Sequence, residues 1–384
     1  MTHDAEVYAT QKVLYHRGSM DALLAGKQPY PKHIELVISD WCSHDCLFCS
    51  YRMSGHPSNT LFQMEEGTDR KARNPKRMIP VEKCLEILDD CAEMGVKAIQ
   101  FTGGGEPTIH PDFCQIVAYA MGKGLETALI TNGNMMLENN QRALAKRMTW
   151  LRISIDAAHQ EHYMEERGVG RGAWDRMVEG ATLLCREATE ENPSLVIGSG
   201  FVVTPRNYDQ IYEAARLYKN IGFHNMRIGL MFNPEEERPF VEIWPEIRRQ
   251  ASEAVRDFSC PEFRVIDRTQ ERFDEFAGLG DGVINYQICG FQNFTNFIGG
   301  DQNLYRCCMW AFHPHGLIGS IKNQRLKMLY DSIEKHQDFA RFDPHSCGKC
   351  QFNQTNKAIN AAIADPDILD RIDPSKPPMH HNFT

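Results

Sequence analysis

The chain has 384 residues, 42% of them hydrophobic, and a formal net charge of −9. That length and apolar content suffice for a buried core in one large domain plus a smaller one, and the acidic balance argues against a broad nucleic-acid-binding face. No uninterrupted apolar run approaches the length a bilayer requires, and MTHDAEVYAT lacks the order of a secretory signal, so a cytoplasmic protein without a membrane partner is expected. Thirteen cysteines without such a signal point to metal or redox chemistry rather than to disulfides.

Residues 1–32 read as an N-terminal helical arm. From 33 to 235 short apolar strands alternate with helical segments, the pattern of βα units around a parallel sheet. The strands are HIELVIS (33–39), KAIQFT (97–102), TALIT (127–131), LRISI (151–155), LVIGSGFVV (195–203) and NMRIGLMF (225–232). In the helical stretch 81–95, Val81, Leu85, Leu88 and Ala92 recur near the helical period, Pro80 suits its first turn and Gly95 stops it. Period-2 alternation separates Leu151, Ile153 and Ile155 from Arg152, Ser154 and Asp156; Gln100 with Thr102, Glu35 with Ser39, and Arg227 are polar in the same way. So many polar groups on the inner face of a curved sheet imply a bore that holds a polar ligand. Within the first unit, "RKARNPKR" (70–77) is locally basic and reads as a solvated loop, or as a lid over an anionic substrate. Beyond the strands, 236–285 reads as a bridging segment, 286–356 as a cysteine-rich, metal-stapled module, and 357–384 as a loosely held tail.

Directly after the first strand, "CSHDCLFC" carries Cys42, Cys46 and Cys49, on the side where α/β folds gather their ligand sites. A zinc site could recruit His44 as fourth ligand, though a His inside the Cys42–Cys46 stretch is awkwardly placed for it. Three thiolates on one tight loop can instead hold three irons of a [4Fe–4S] cluster and leave the fourth open. "FTGGGEPTIHP" follows the second strand; it lacks the GK[ST] of a phosphate loop and the third glycine of a dinucleotide loop.

The C-x3-C-x2-C triplet with Phe48 before its last cysteine, and the GGE of Gly104, Gly105 and Glu106, resemble the radical S-adenosylmethionine (SAM) enzymes. The resemblance implies a partial (β/α)6 TIM-like barrel of α/β class. It also implies a cluster held by Cys42, Cys46, Cys49 and SAM, with reductive cleavage of SAM to a 5′-deoxyadenosyl radical that removes hydrogen from a substrate. By the same likeness Phe48, Gly104, Gly105, Glu106, Asn132 in "ITNGN", Ser154 and Asp156 in "ISIDA", and Arg171 in "ERGVGRGAWDRM" bind SAM, with Arg167 and Arg176 competing for the arginine role. Cys289, Cys307, Cys347 and Cys350 could close a cluster or a zinc site equally well by ligand count. Their spacing resembles the twitch module, a shortened SPASM domain, which implies one auxiliary [4Fe–4S] cluster; Cys308 beside Cys307 leaves the second ligand open.

The function so implied is hydrogen abstraction from a polar small molecule, a sugar, aminocyclitol or nucleotide derivative, for oxidation, epimerisation or rearrangement. A one-electron donor such as flavodoxin or ferredoxin is the implied partner, and Cys260 or Cys308 is the candidate thiol to return hydrogen. Alternatives are modification of a peptide or of a nucleobase, including one in a nucleic acid read by 70–77, and a non-enzymatic iron–sulfur or zinc protein.

Overall fold

The computed structural model describes residues 9–53, 56–58, 76–231, 238–270, 273, 284–348 and 350–384. The larger part of the basic run 70–77 lies outside them; Lys76 and Arg77 are described. A short 3-10 turn (Thr10–Tyr15) and α1 (Arg17–Leu24) make the N-terminal arm. The six expected strands form as β1 (His33–Leu36), β2 (Ala98–Phe101), β3 (Glu126–Thr131), β4 (Trp150–Ser154), β5 (Val196–Val203) and β6 (Asn225–Leu230). Between them run α2 (Val81–Glu93), α3 (Phe113–Gly122), α4 (Asn139–Ala145), α5 (Gln160–Arg167), α6 (Arg171–Glu191) and α7 (Ile211–Ile221). The face that α2 buries is Cys84, Ile87, Leu88 and Cys91, which shares Leu88 with the expected apolar stripe but is rotated from it. Two cysteines replace the expected aliphatics because a thiol packs as a small hydrophobe.

Beyond residue 236 the structure departs from the sequence expectation twice. The bridging segment continues the alternation, with α8 (Arg238–Phe258) leading to β7 (Arg264–Asp267), which pairs in parallel with β6. Its four residues are flanked by charges, too short a pattern to stand out in the sequence. In the cysteine-rich module β8 (Thr295–Ile298) pairs in parallel with β1, on the side away from β2, and β9 (Asn303–Tyr305) and β10 (Leu317–Ser320) add antiparallel strands. The module therefore extends the barrel sheet to ten strands, in the order β10-β9-β8-β1-β2-β3-β4-β5-β6-β7. α9 (Leu326–Asp331), α10 (Ile333–Arg341), α11 (Asn353–Ala364) and α12 (Asp367–Asp370) complete the chain.

The tail is held, not loose. Phe383 is 7% exposed and packs edge-on against His33 and Trp150, the Lys12 ammonium donates to the His380 carbonyl at 3.1 Å, and the Thr295 hydroxyl donates to the Thr384 carbonyl at 3.1 Å. A proline-rich approach (373–378) hides this docking from a composition-based reading. On the outer face of the sheet Ile34, Ile99, Leu129, Leu151, Ile153, Ile197, Met226 and Ile228 are buried beneath the helices, each contributing roughly 1.5–3 kcal/mol. The inner face encloses a cavity of about 620 Å³ lined by Glu35, Gln100, Thr102, Arg152, Ser154, Asp156 and Arg227 among others, as the alternation requires. Ser39 is the exception: past the end of β1, its hydroxyl turns back to the Trp41 carbonyl at 3.2 Å. Among the described residues no helix is long and apolar enough to cross a membrane.

Candidate active site

The loop after β1 is held from two sides. The Gly105 and Glu106 amides donate to the Ser39 and Trp41 carbonyls at 3.1 and 2.8 Å, laying the loop after β2 against it. A Cβ on Gly105 would lie 2.0 Å from the Trp41 carbonyl oxygen, so only glycine permits this approach. On the other side the Asp45 and Leu47 amides donate to the carbonyls of Arg167 and Glu166, at the end of α5, at 2.8 and 2.9 Å. Gly168 ends that helix with φ +59°.

Burial raises the proton affinity of Cys42, Cys46 and Cys49; Cys46 and Cys49 raise that of Cys42 further, and Cys49 that of Cys46, which is pushed up to about 12. All thirteen cysteines are free thiols. Three half-buried thiols on one short loop ionise more readily beside compensating positive charge, and that donor set suits an iron cluster. Arg167 supplies part of that charge. Its guanidinium donates to the Cys46 sulfur at 3.7 Å, pairs with the Asp156 carboxylate, donates to the Ile155 carbonyl at 3.1 Å, and lies over the rings of Phe48 and Tyr163 at 5.6 and 5.3 Å. Burial opposes its charge, but Cys46 and Asp156 hold it and raise its affinity for the proton.

His44 is no ordinary loop residue. It is 3% exposed, sits between Arg167 (3.3 Å) and the Asn134 side chain (2.5 Å), and burial and the Arg167 charge push its pKa down to about 3. It is neutral near pH 7. The Asn132 side chain donates to the Ser43 hydroxyl at 3.2 Å, while the Asn134 Oδ1 is buried and accepts no hydrogen bond from the described residues. The sequence reading weighed His44 only as a zinc ligand and passed over Asn134; the structure brings the two together beside Arg167.

Glu106 is buried and busy. Its Oε1 accepts from the Thr108 amide (3.1 Å) and the hydroxyls of Thr108 (2.5 Å) and Thr131 (2.6 Å); Oε2 accepts the Asn132 amide at 2.7 Å and keeps a lone pair. The carboxylate thus ties the loop after β2 to the end of β3, with one acceptor position left. Asp156 adopts φ +60°, takes the Val202 amide at 2.7 Å, and its carbonyl accepts the Asn207 amide at 2.9 Å. Such a left-handed aspartate persists because its surroundings fix it.

Two sequence expectations are displaced. Arg171 opens α6 on the surface, four residues beyond the helix end that carries Arg167, whereas Arg167, its competitor in the sequence, is the arginine that touches the cysteine loop. Arg176 is likewise engaged elsewhere, with Glu138 at 2.8 Å. Cys260 lies in the turn between α8 and β7, at the end of the strands opposite the cysteine loop, and does not line the bore.

The second cysteine set does converge. Cys289, Cys307, Cys347 and Cys350 line one small cavity with Phe291, Trp310 and Phe352. Burial pushes Cys289 up to about 12 and Cys347 to about 11. Arg306 lines the same cavity; its guanidinium donates to the Gln292 side chain at 2.6 Å and lies 4.2 Å from the Phe342 ring. The guanidinium also pairs with the Asp338 carboxylate, and four thiols on one cavity are a donor set that suits an iron–sulfur cluster or a zinc ion. The Asn356 side chain donates to the Cys350 sulfur at 3.7 Å. Cys307 and its neighbour part company: Cys307 lines the four-thiol cavity, whereas Cys308 lines the bore. There the Cys308 thiol bonds to Glu35 and receives the Gln351 amide at 3.0 Å. Burial pushes Glu35 up to about 7, against bonds from Cys308 and from Gln100 (3.1 Å) and the Arg152 charge.

Residues 36–217 match the Radical SAM superfamily. That stretch is a Radical SAM domain. Among curated relatives, this radical SAM chain is 26% identical over 289 residues to mycofactocin maturase MftC of Mycolicibacterium smegmatis, covering 72% of this chain and 68% of the relative. It is 23% identical to the AdoMet-dependent heme synthase of Methanosarcina barkeri over 73% of this chain and 82% of that one. In fold it resembles Streptococcus suis SuiB bound to S-adenosylmethionine, with TM-score 0.59 and 13% identity over 88% of this chain and 76% of that one. The radical SAM chain is thus an enzyme of α/β fold whose cysteine-rich C-terminal part is the one its sequence called for.

Proposed function

We propose that the enzyme abstracts a hydrogen atom from a polar small molecule, a sugar, aminocyclitol or nucleotide derivative, and yields an oxidised, epimerised or rearranged product. The observation that carries this reading is the polar bore of about 620 Å³ beside the triplet loop, with the Cys308 thiol inside it. A [4Fe–4S] cluster on Cys42, Cys46 and Cys49 would supply the electron that cleaves SAM to the 5′-deoxyadenosyl radical. The chain's own residues then have distinct tasks. Arg167 and Asp156 fix the SAM-facing wall beside Cys46, Glu106 braces the glycine loop, and Ser154 and Asn132 offer hydrogen bonds. Cys289, Cys307, Cys347 and Cys350, which line one cavity, would hold one auxiliary [4Fe–4S] cluster. In an epimerisation the Cys308 S–H gives its hydrogen atom to the substrate radical; the thiyl left behind regains one electron and one proton, the electron coming from a donor of the flavodoxin or ferredoxin type.

Incubating the reduced enzyme with deuterated candidate metabolites tests the reading. Label appearing in 5′-deoxyadenosine supports it and identifies the carbon attacked; SAM cleavage without label transfer from any small polar candidate removes it. A second reading, modification of a peptide, is favoured by the likeness to a maturase and predicts label transfer from a peptide instead.

A further inference from the structure

Arg306 brings to the second cysteine set a hydrogen-bond donor that has no acceptor. It directly follows β9, its amide donates to the Gly316 carbonyl at 2.9 Å, and its buried side chain lines the four-thiol cavity. A guanidinium carries five N–H donors on three nitrogens. One terminal nitrogen donates to the Gln292 side-chain oxygen at 2.6 Å, the other pairs with the Asp338 carboxylate of α10, and the Phe342 ring lies 4.2 Å from the guanidinium carbon. The third nitrogen, Nε, is shut off from solvent and finds no acceptor among the described residues. Two anchored nitrogens and a ring against the plane fix its direction, and a buried donor left unpaired is costly. The four sulfurs, by contrast, are served by other donors. Cys289 accepts the Gln292 amide, Cys307 the Met309 and Trp310 amides, Cys347 the Trp310 indole, and Cys350 the Asn356 side chain at 3.7 Å.

We infer that the Arg306 Nε–H donates to an inorganic sulfide of the group held by Cys289, Cys307, Cys347 and Cys350, and that Arg306 thereby favours an iron–sulfur cluster over zinc at this site. This rests on the auxiliary-cluster reading under the proposed function. A zinc ion is closed by four thiolates and brings no further acceptor, whereas a cluster places sulfides between the thiolates. A cationic donor beside those sulfides stabilises the more negative, reduced core, so Arg306 raises the reduction potential of the group.

The test uses the full chain carrying Cys42→Ala, Cys46→Ala and Cys49→Ala, so that anaerobic reconstitution with iron and sulfide loads only the second set. About four irons and four acid-labile sulfides per chain are expected. In a redox titration followed by electron paramagnetic resonance, adding Arg306→Met should lower the midpoint potential by at least about 59 mV, a tenfold change in a one-electron equilibrium. Resonance Raman bands of the bridging Fe–S bonds should shift in deuterium oxide when Arg306 is present and no longer shift in Arg306→Met. Arg306→Lys keeps a cation beside Asp338 without the Nε–H, and should recover the potential only in part. Melting temperature and iron content verify that each variant is folded and loaded. An unchanged potential in Arg306→Met, a deuterium shift of the bridging bands kept by that variant, or full recovery of the potential in Arg306→Lys overturns the role of Arg306 and leaves the auxiliary cluster standing. Tightly held zinc without labile sulfide at the second set overturns both.

Discussion

Arg167 joins the triplet loop to the end of β4, and its removal would leave Asp156 buried without its partner. Breaking such a pair costs about 3–5 kcal/mol, so Arg167→Gln is expected to lower the melting temperature sharply and to cut SAM cleavage at least about tenfold. Arg171→Gln, on the surface, should leave cleavage within about twofold, a result that would be reversed if Arg171 met the cofactor. The sequence offers three arginines in ten residues there, and nothing in their spacing separates them. Gly168 could have: a glycine ending a helix fixes Arg167 as its last residue, turned toward whatever the helix end supports. Glu35 makes a different prediction. Its folded-state pKa lies above the ordinary 4.5, at about 7, because burial penalises the charge. The folded chain holds that proton more tightly than the unfolded one, so this contribution to stability is complete below about pH 4.5 and is lost as pH rises through 7. Melting curves between these pH values should show Glu35→Gln gaining on the unmodified enzyme as pH rises; parallel curves would mean that Glu35 stays ionised.

At the scale of elements, the site depends on how closely two loops approach. Gly105→Ala should force the Trp41 carbonyl away and with it the strand end that carries Cys42. The expected outcome is loss of the triplet's cluster, seen as about half the iron of the unmodified enzyme, with the second set still loaded. Full iron content in Gly105→Ala would show that the loops can separate without harm. Alternation made β1 to β6 and their polar inner faces legible, because period-2 patterns survive in short strands. β7 and β8 were not legible as barrel strands. β8 is buried throughout, so it shows no alternation, and its pairing with β1 joins residues more than 250 positions apart. Long-range parallel pairing leaves no local trace.

Across the whole molecule, segments far apart in the sequence meet at the bore. The 3-10 turn at Thr10–Tyr15 and residues 380–384 meet at the foot of the bore, where Phe383 fills the space between His33 and Trp150. Phe383→Ala should cost about 3–5 kcal/mol, as truncation of a buried aromatic does, measurable by chemical denaturation; a cost below about 1 kcal/mol would mean the tail is not part of the folded core. The two cysteine sets, by contrast, were visible in the sequence as spacing alone, since ligand spacing is a local property. Their relation was not: adjacent Cys307 and Cys308 serve different cavities, one lined by four thiols and one polar. The central claim is that the chain carries two iron–sulfur clusters, the first of which activates SAM. Anaerobic reconstitution followed by iron analysis and SAM cleavage under dithionite tests it most directly. About eight irons per chain with formation of 5′-deoxyadenosine are predicted, falling to about four irons in a Cys289→Ala, Cys350→Ala double variant; four or fewer irons in the unmodified protein, with tightly held zinc and intact SAM, would contradict the account.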